Sequence, residues 1–599
     1  MHPVSSFIFI PLLLLAMDSD EAWDLEMELL CLPATGGSVR KMQQVSQRIS
    51  AACTGVPDHI RELAALPDNS HRERDLHRWV RKQPWRALLP ELYEFEIPVT
   101  YDGLEETTGV HAALLPHETF ASLGKYPELF KELLCGPDGN LQDFWQKSTG
   151  RWRTHHPIPE VHSAPGQCIP LGIFGDDAGV YAAQKVLVLL WGSVALEALT
   201  LDSRILFCSI MYALVVPIKT IAVLYEVLAW SLTWLAMGVH PDVDHRGVPF
   251  STTHHPSRFK NALKPLVSGG YVGVFSELRG DWKWQVEALS LEHRYSTNFI
   301  CHLCRASRKI PRLMYTQFRQ HDHIRCTRIS WRVFRDWQWS RPAATQSPLL
   351  KVVGFDIWRC WVDAMHCLDL GIYQGIAACC LNELSFEHVW PGGTLDDCFY
   401  AAHSEHKDWC RRKGLQPCPR FERRKLCPTG TFPTFTQQSA KAAMTKQLVL
   451  WLHEVLARPG VSQGPHGQIR FVMFEQWAAF EAICARNGRF LATPDKQHIA
   501  DSVENALVCL NYLASEPGSL WHIKPKAHMS THMAFDAAVD SGINPRRVSN
   551  YSDEDMVGRI KRVMRSCHGS SAGKMCMLRY AILVGTRWWS RLAYLRGIR

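Results

Sequence analysis

CIPLGIFGDDAGVYAAQKVLVLLWGSV, residues 168–194, decides how this chain is read. Its first part, CIPLGIFGDD (168–177), is a short apolar run ending in two aspartates. Its last part, KVLVLLWGSV (185–194), is a second such run, and RILFCSIMYALVV (204–216) is a third. Runs of this length, rich in Val, Ile and Leu, fit buried strands. TIAVLYEVLAWSLTWLAMG (220–238) then carries apolar residues on nearly every face and ends at glycine, as a buried helix does. A polar segment, 240–345, separates it from LLKVVGFDIWRCWVDAMH (349–366), which reads as a further strand. Three strands, a helix, a long insertion and a fourth strand make an α/β chain.

The bulk properties set limits. With 599 residues the chain exceeds one compact core, so two to four domains are expected. Hydrophobic residues at 46% and charged residues at 21% exclude a disordered protein. Twenty cysteines without small-domain spacing point to a reducing compartment. The net charge of +8 is mild, so where the cations cluster matters more than their sum. The opening MHPVSSFIFIPLLLLAM has no basic residue ahead of its apolar run and no small-residue cleavage site behind it, which argues against a secretory signal. Pro217, Lys219 and Glu226 interrupt the apolar region 205–238, so a membrane span is not expected either.

WVDAMHCLDLGI (361–372) places Asp363 and His366 inside an apolar run. Charged side chains are seldom buried unless paired or bound to metal. A core Asp–His pair is one reading. The other depends on two further acids. Asp176, or its neighbour Asp177, lies at the first strand and Asp363 at the end of the fourth, the order of an RNase H-like mixed sheet. SNYSDEDMVGRIKRVMRSC (549–567) adds a helix with Ser552 as its expected N-cap and Asp553, Glu554 and Asp555 in the first turn. Three converging carboxylates can hold two divalent ions, Mg²⁺ or Mn²⁺, that clamp the attacking and leaving oxygens of a phosphodiester.

GDD (175–177), DAMHCLDLGI (363–372), KPKAHMSTH (524–532) and YSDEDMVGRIKR (551–562) together resemble the ordered motifs of CACTA (EnSpm)-type DDE transposases. The resemblance spans roughly residues 165–590. It implies an RNase H-like catalytic core in which Asp176, Asp363 and Glu554 bind metal, with Asp177 the rival of Asp176 and His366 beside the site. It further implies a nuclear enzyme that cuts transposon ends and joins them to target DNA, acting as a homo-oligomer. The alternative is a transposon-derived DNA-binding protein that has lost catalysis.

The insertion contains NFICHLCRAS (298–307), whose Cys301 and Cys304 suit one Zn²⁺ held from a tight turn. A structural site needs two more ligands. His293, His321, His323 and Cys326 are the candidates, and buried free thiols remain the other reading. Arg305, Arg308, Lys309, Arg312, Arg325 and Arg328 follow, interleaved with Trp331, Phe334, Trp337 and Trp339. Cations grip phosphates and aromatic faces stack on unpaired bases, so this segment is a candidate DNA contact. Lys561, Arg562 and Arg565, the tail with Trp588 and Trp589, and RRKGLQPCPRFERRK (411–425) repeat the theme. HRERDLHRWVRKQPWR (71–86) reads first as a solvated helix face. The expected organisation is a helical N-terminal region (1–150), the first half of the core (165–238), the insertion (239–345), and the second half with a helical insertion and a basic tail (346–599).

Overall fold

The computed structural model describes six positions between 43 and 65 and residues 82–597, except 102, 104, 137–138, 149–150, 182–183, 197–199, 427–431, 566 and 568–571. The expectations for the opening apolar stretch and for most of residues 71–86 lie outside the described residues. Within the N-terminal region read as helical, short helical pieces are joined by a hairpin that the reading did not include. Tyr93–Tyr101 (β1) and Glu105–Ala113 (β2) form an antiparallel hairpin. YEFEIPVTY alternates strictly, with Tyr93, Phe95, Ile97 and Val99 buried, and that period of two commits it to a strand. Helices at Pro116–Leu123 and Leu141–Lys147 follow.

Three strands form where the sequence places them: Cys168–Tyr181 (β3), Gln184–Ser193 (β4) and Ile205–Met211 (β5). The helix Lys219–Met237 (α1) then stops at Gly238, whose φ of +71° is the left-handed cap that glycine adopts without strain. This is a helix of membrane-spanning length and apolarity, yet it packs on the sheet. Leu224, Leu228 and Leu235 are fully buried, each contributing roughly 1.5–3 kcal/mol. Its close seat requires Gly273 on the strand beneath, where a Cβ would come within 2.7 Å of Leu235.

That strand is the main correction. The fourth strand is Val272–Arg279 (β6), inside the segment read as an insertion, and it pairs parallel to β3. The sheet runs β5-β4-β3-β6, antiparallel except for that last pair. Residues 349–366 form short 3-10 turns instead, capped by Ser347 and Asp356, with one parallel bridge, Leu278 to Cys360. Pro348, Gly354 and two capping side chains bend the backbone too often for a ladder.

Trp282–Ala288 (α2) and Trp331–Trp339 (α3) flank the loop that carries the CxxC. A helical body follows: Tyr373–Phe386 (α4), Leu395–Lys413 (α5), Ala442–Leu456 (α6), Gly464–Arg486 (α7) and Thr493–Ser515 (α8). Its core around Leu448, Trp451, Trp477 and Leu507 is separate from that of the sheet. Pro525–His532 (α9) follows, and Tyr551–Arg565 (α10) and Ala572–Leu595 (α11) return the chain to the strands. The Tyr580 hydroxyl accepts the Leu206 N–H at 3.0 Å, and Trp588 is fully buried.

Candidate functional site

Parallel pairing of β3 with β6 ends at Phe174 opposite Arg279. Beyond that point β3 keeps only β4 beside it, with Asp176 opposite Val188. Asp281 therefore emerges two residues past the end of β6, next to the open edge of β3. Its Oδ1 accepts the Trp284 N–H at 2.6 Å and caps α2. The Trp284 ring lies across Gly175, where a Cβ would meet it at 2.1 Å, so only glycine lets the strand end and the helix approach. Successive strand residues face opposite sides. Asp177 accordingly turns to Lys185 (2.7 Å) and Lys283 (3.4 Å), whose hydrogen bonds and charge overcome its burial and hold its carboxyl below the usual range. That choice between neighbours favours Asp176.

Helix α10 packs on β3 and supplies the third acid. Its acidic triplet divides by helical geometry. Asp553 is fully buried against Arg204 (2.5 Å) and Arg279 (3.2 Å), Asp555 bonds outward to Arg559 at 3.0 Å, and Glu554 turns toward Asp176. Ser552 sits within the helix rather than capping it. Asp176 and Glu554 lie side by side, each affecting the other's ionisation. Burial, the adjacent Glu554 and the nearby Asp281 push the Asp176 carboxyl up to about 8. Burial raises Glu554 to about 7; the adjacent Asp176 opposes this, and the charges of Asp363, Asp281 and Asp553 add to it. Among the described residues no lysine or arginine is within ion-pair distance of either acid.

Asp363 occupies this region in another role. Its Oδ1 accepts the N–H groups of Met365 (3.0 Å) and Asn550 (2.9 Å). Its Oδ2 accepts the His366 N–H (3.1 Å) and the His366 ring at 2.5 Å. A carboxylate offers about four lone-pair positions, and all are filled. In this arrangement Asp363 holds the start of α10 and the His366 ring. Burial alone would lower His366, but the bond and charge of Asp363 raise its pKa. The other ring nitrogen, Nε2, points to Glu554 Oε1 at 3.8 Å. Lys526 donates to the His366 carbonyl at 2.6 Å.

The missing partners of the CxxC come from α9, 224 residues further on. Cys301, Cys304, His528 and His532 are all buried, and one donor atom of each lies within 4.8 Å of the others. Cys301 Sγ is 3.3 Å from His532 Nε2, Cys304 Sγ 3.2 Å from His528 Nε2, and the two Nε2 atoms are 3.2 Å apart. Zinc bonds of ~2.0–2.3 Å in a tetrahedron separate ligand atoms by roughly 3.3–3.8 Å, so this Cys2His2 group could hold a metal such as zinc. His532 Nδ1 bonds to Asp536 Oδ2 at 2.5 Å, and Asp536 is bonded by Arg325 (2.7 Å) and Arg328 (2.9 Å). Such a carboxylate backing fixes the imidazole tautomer. Burial opposes it, but the Cys304 bond and the His532 charge hold the Cys301 thiol well below its ordinary range. The other expected ligands are corrected: His293 bonds to the Cys301 carbonyl at 3.1 Å, while His321, His323 and Cys326 are exposed.

The basic segments divide as well. Arg325 and Arg328 serve Asp536 rather than standing free for DNA. Arg308 donates to the Tyr295 carbonyl, and Arg565 to that of Val180 at 2.7 Å. Arg305, Lys309, Arg312 and Arg562 are exposed, and Lys561 is half-buried. Phe334 and Trp588 belong to the core and cannot stack on a base.

A comparison with known protein families finds no match for this chain, and neither does one with the curated proteins. Sequence reading missed Asp281, although VGVFSELRGDW (272–282) carries the signal: a β-rich run, then Gly-Asp, then a helix start. It also left His528 and His532 unassigned to the CxxC, although two histidines four apart lie on one helix face.

Proposed function

We propose that the chain is a DDE-type transposase, or derives from one, and cuts and joins DNA phosphodiesters with Mg²⁺ or Mn²⁺ on an RNase H-like sheet. One observation carries this reading: Asp176, Asp281 and Glu554 lie together at the open end of a β5-β4-β3-β6 sheet, with no arginine or lysine among the described residues against Asp176 or Glu554. Elsewhere the fold neutralises its buried acids. Glu277 has Arg279 and Arg489, and Asp369 has Arg546 at 2.7 and 2.9 Å. A pocket that keeps acids crowded and unpaired fits divalent cations, which favour oxygen ligands.

In this reading Asp176, Asp281 and Glu554 hold the ions, replacing the triad in which Asp363 was the second member. Bound there, the ions would supply a water of lowered pKa and charge stabilisation at the phosphate. Asp553, locked to Arg204 and Arg279, fixes the rotation of α10 so that Glu554 faces the pocket. Asp363 is a positioning residue: it holds Asn550 at the start of the same helix and orients His366. The His366 Nε2 is then placed to exchange a proton with Glu554 or to contact the phosphate. DNA is the proposed partner and the nucleus the compartment, with zinc in the Cys2His2 group bracing the segment beside the core.

The test compares single variants for Mg²⁺-dependent nicking of DNA carrying the element's ends. Asp176→Asn, Asp281→Asn and Glu554→Gln should each abolish nicking with DNA binding retained. Asp363→Asn should lower nicking and thermal stability together. Full nicking by Asp281→Asn would reject the assignment.

A further inference from the structure

A second site lies apart from the carboxylates. A cleft of about 1040 Å³ opens between the Trp152 helix turn, α3 and the 350–359 turns. At its base is Arg359, only 4% exposed. Its guanidinium lies over the Trp152 ring at 3.8 Å and near the Trp361 ring at 5.4 Å. Among the described residues no oxygen accepts a hydrogen bond from that guanidinium, and no carboxylate comes within ion-pair distance. Asp356 and Glu277 offer it charge only from beyond ion-pair distance, and Asp356 accepts the Trp358 N–H at 2.9 Å. A buried charge without an acceptor is costly unless something supplies one.

The rest of the lining says what would. Four arginines (328, 332, 335 and 359) stand against three aspartates (356, 536 and 540). Two of those aspartates are already bonded to Arg328, at 2.9 and 2.8 Å. Arg332 and Arg335 extend into solvent and share only Asp336, at 3.8 and 3.4 Å. Indole faces alternate with these cations: Arg328 sits over Trp358 at 4.7 Å, Arg335 over Trp339 at 5.8 Å, and Trp331 completes the wall. Trp339 is 47% exposed and presents its ring to solvent.

From this arrangement we propose that the cleft binds an unpaired stretch of nucleic acid, with a backbone phosphate on Arg359 and bases stacked on Trp331 and Trp339. A neutral apolar ligand would leave the guanidinium unsatisfied. A free inorganic anion would not use the indoles. A duplex keeps its base faces stacked inside and could not offer them. Single strands offer both groups at the spacing of one nucleotide, and aromatic–cationic grooves of this type take roughly 4–16 nucleotides. The site does not depend on the carboxylate pocket, so it stands or falls by binding alone.

The experiment uses the full chain without added divalent ion. Anisotropy of a dye-labelled oligothymidylate of about 15 nucleotides is measured, with the matched duplex and a polyglutamate peptide as competitors. The expected result is that the single strand binds, quenches tryptophan fluorescence, and resists both competitors. Trp339→Ala and the exposed double variant Arg332→Gln/Arg335→Gln should each weaken binding by about tenfold while the melting temperature holds. Arg359→Gln should weaken it further. Displacement by polyglutamate, an equal loss of duplex binding in the surface variants, or unchanged single-strand affinity in both surface variants would overturn the proposal.

Discussion

At the carboxylate pocket, Asp176 and Glu554 lean on each other with neither lysine nor arginine among the described residues beside them; at the Cys–His cluster, each imidazole faces a thiol sulfur and Asp536 backs His532. Both gather ionisable groups that water would otherwise solvate. They differ in how the charge is settled. In the cluster, two thiols and two imidazoles face one another with a carboxylate behind one of them, a donor set that a single cation can settle, so the group can persist as a unit and brace structure. In the pocket the like charges stay unresolved, and burial with repulsion raises the affinity for protons. Unresolved charge of one sign is what a cation-dependent reaction centre needs, whereas a brace does better without it.

The difference can be probed by removing one member at a time. The largest effect is expected from Cys301→Ser or His532→Ala. Structural zinc accounts for much of the folding energy of the elements it ties, so these variants should lose bound zinc by elemental analysis and unfold at markedly lower temperature. A variant that kept one zinc per chain would assign the metal elsewhere. Next is Asp553→Ala, which strands Arg204 in the interior. Breaking such a buried pair costs about 3–5 kcal/mol, read as a fall in the denaturant midpoint. Asp555→Ala, one turn-step away and exposed, should change stability by about 0.5 kcal/mol or less.

The pocket's own signature is its pH dependence. Asp176 is raised to about 8 in the folded chain against roughly 3.9 unfolded, so between those values the native state holds the extra proton. Stability of the metal-free protein should therefore fall as pH rises from 4 to 8, by up to about 1.4 kcal/mol per pH unit for each group titrating. Asp176→Asn should flatten that slope, and Mg²⁺ or Mn²⁺ should raise the melting temperature more at pH 8 than at pH 6. A slope unchanged by the substitution would place the titrating group outside the pocket. Asp536→Asn leaves all four donors in place and should weaken zinc affinity about 10–100-fold in a chelator competition.

What could be read from the sequence follows how local each signal is. Strands β3, β4 and β5 and helix α1 carry their pattern within 10–20 residues, and they form where expected. Glu554 was legible because an acidic first turn is a local cue. The fourth strand was missed because VGVFSELR is fully buried and short, flanked by polar loops, and a longer apolar run at 349–366 competed with it. That run is punctuated by Pro348 and Gly354 and stabilises turns. Asp281 went with the strand that positions it. A buried carboxylate beside histidine, as at Asp363, has two explanations, and its hydrogen bonds to Asn550 and Met365 are long-range or backbone contacts that the sequence could not display. The zinc partners could not be paired from spacing, since nothing local links residue 304 to residue 528.

That last separation also governs how the chain is made. The two thiols leave the ribosome 224 residues ahead of His528, and at 5–20 residues per second the interval is roughly 10–45 s. Throughout it the nascent loop carries a half-built chelate, open to oxidation or to capture of metal by stray ligands. Closure waits on α9, so the loop becomes fixed only after the whole helical body between residues 373 and 515 has been made.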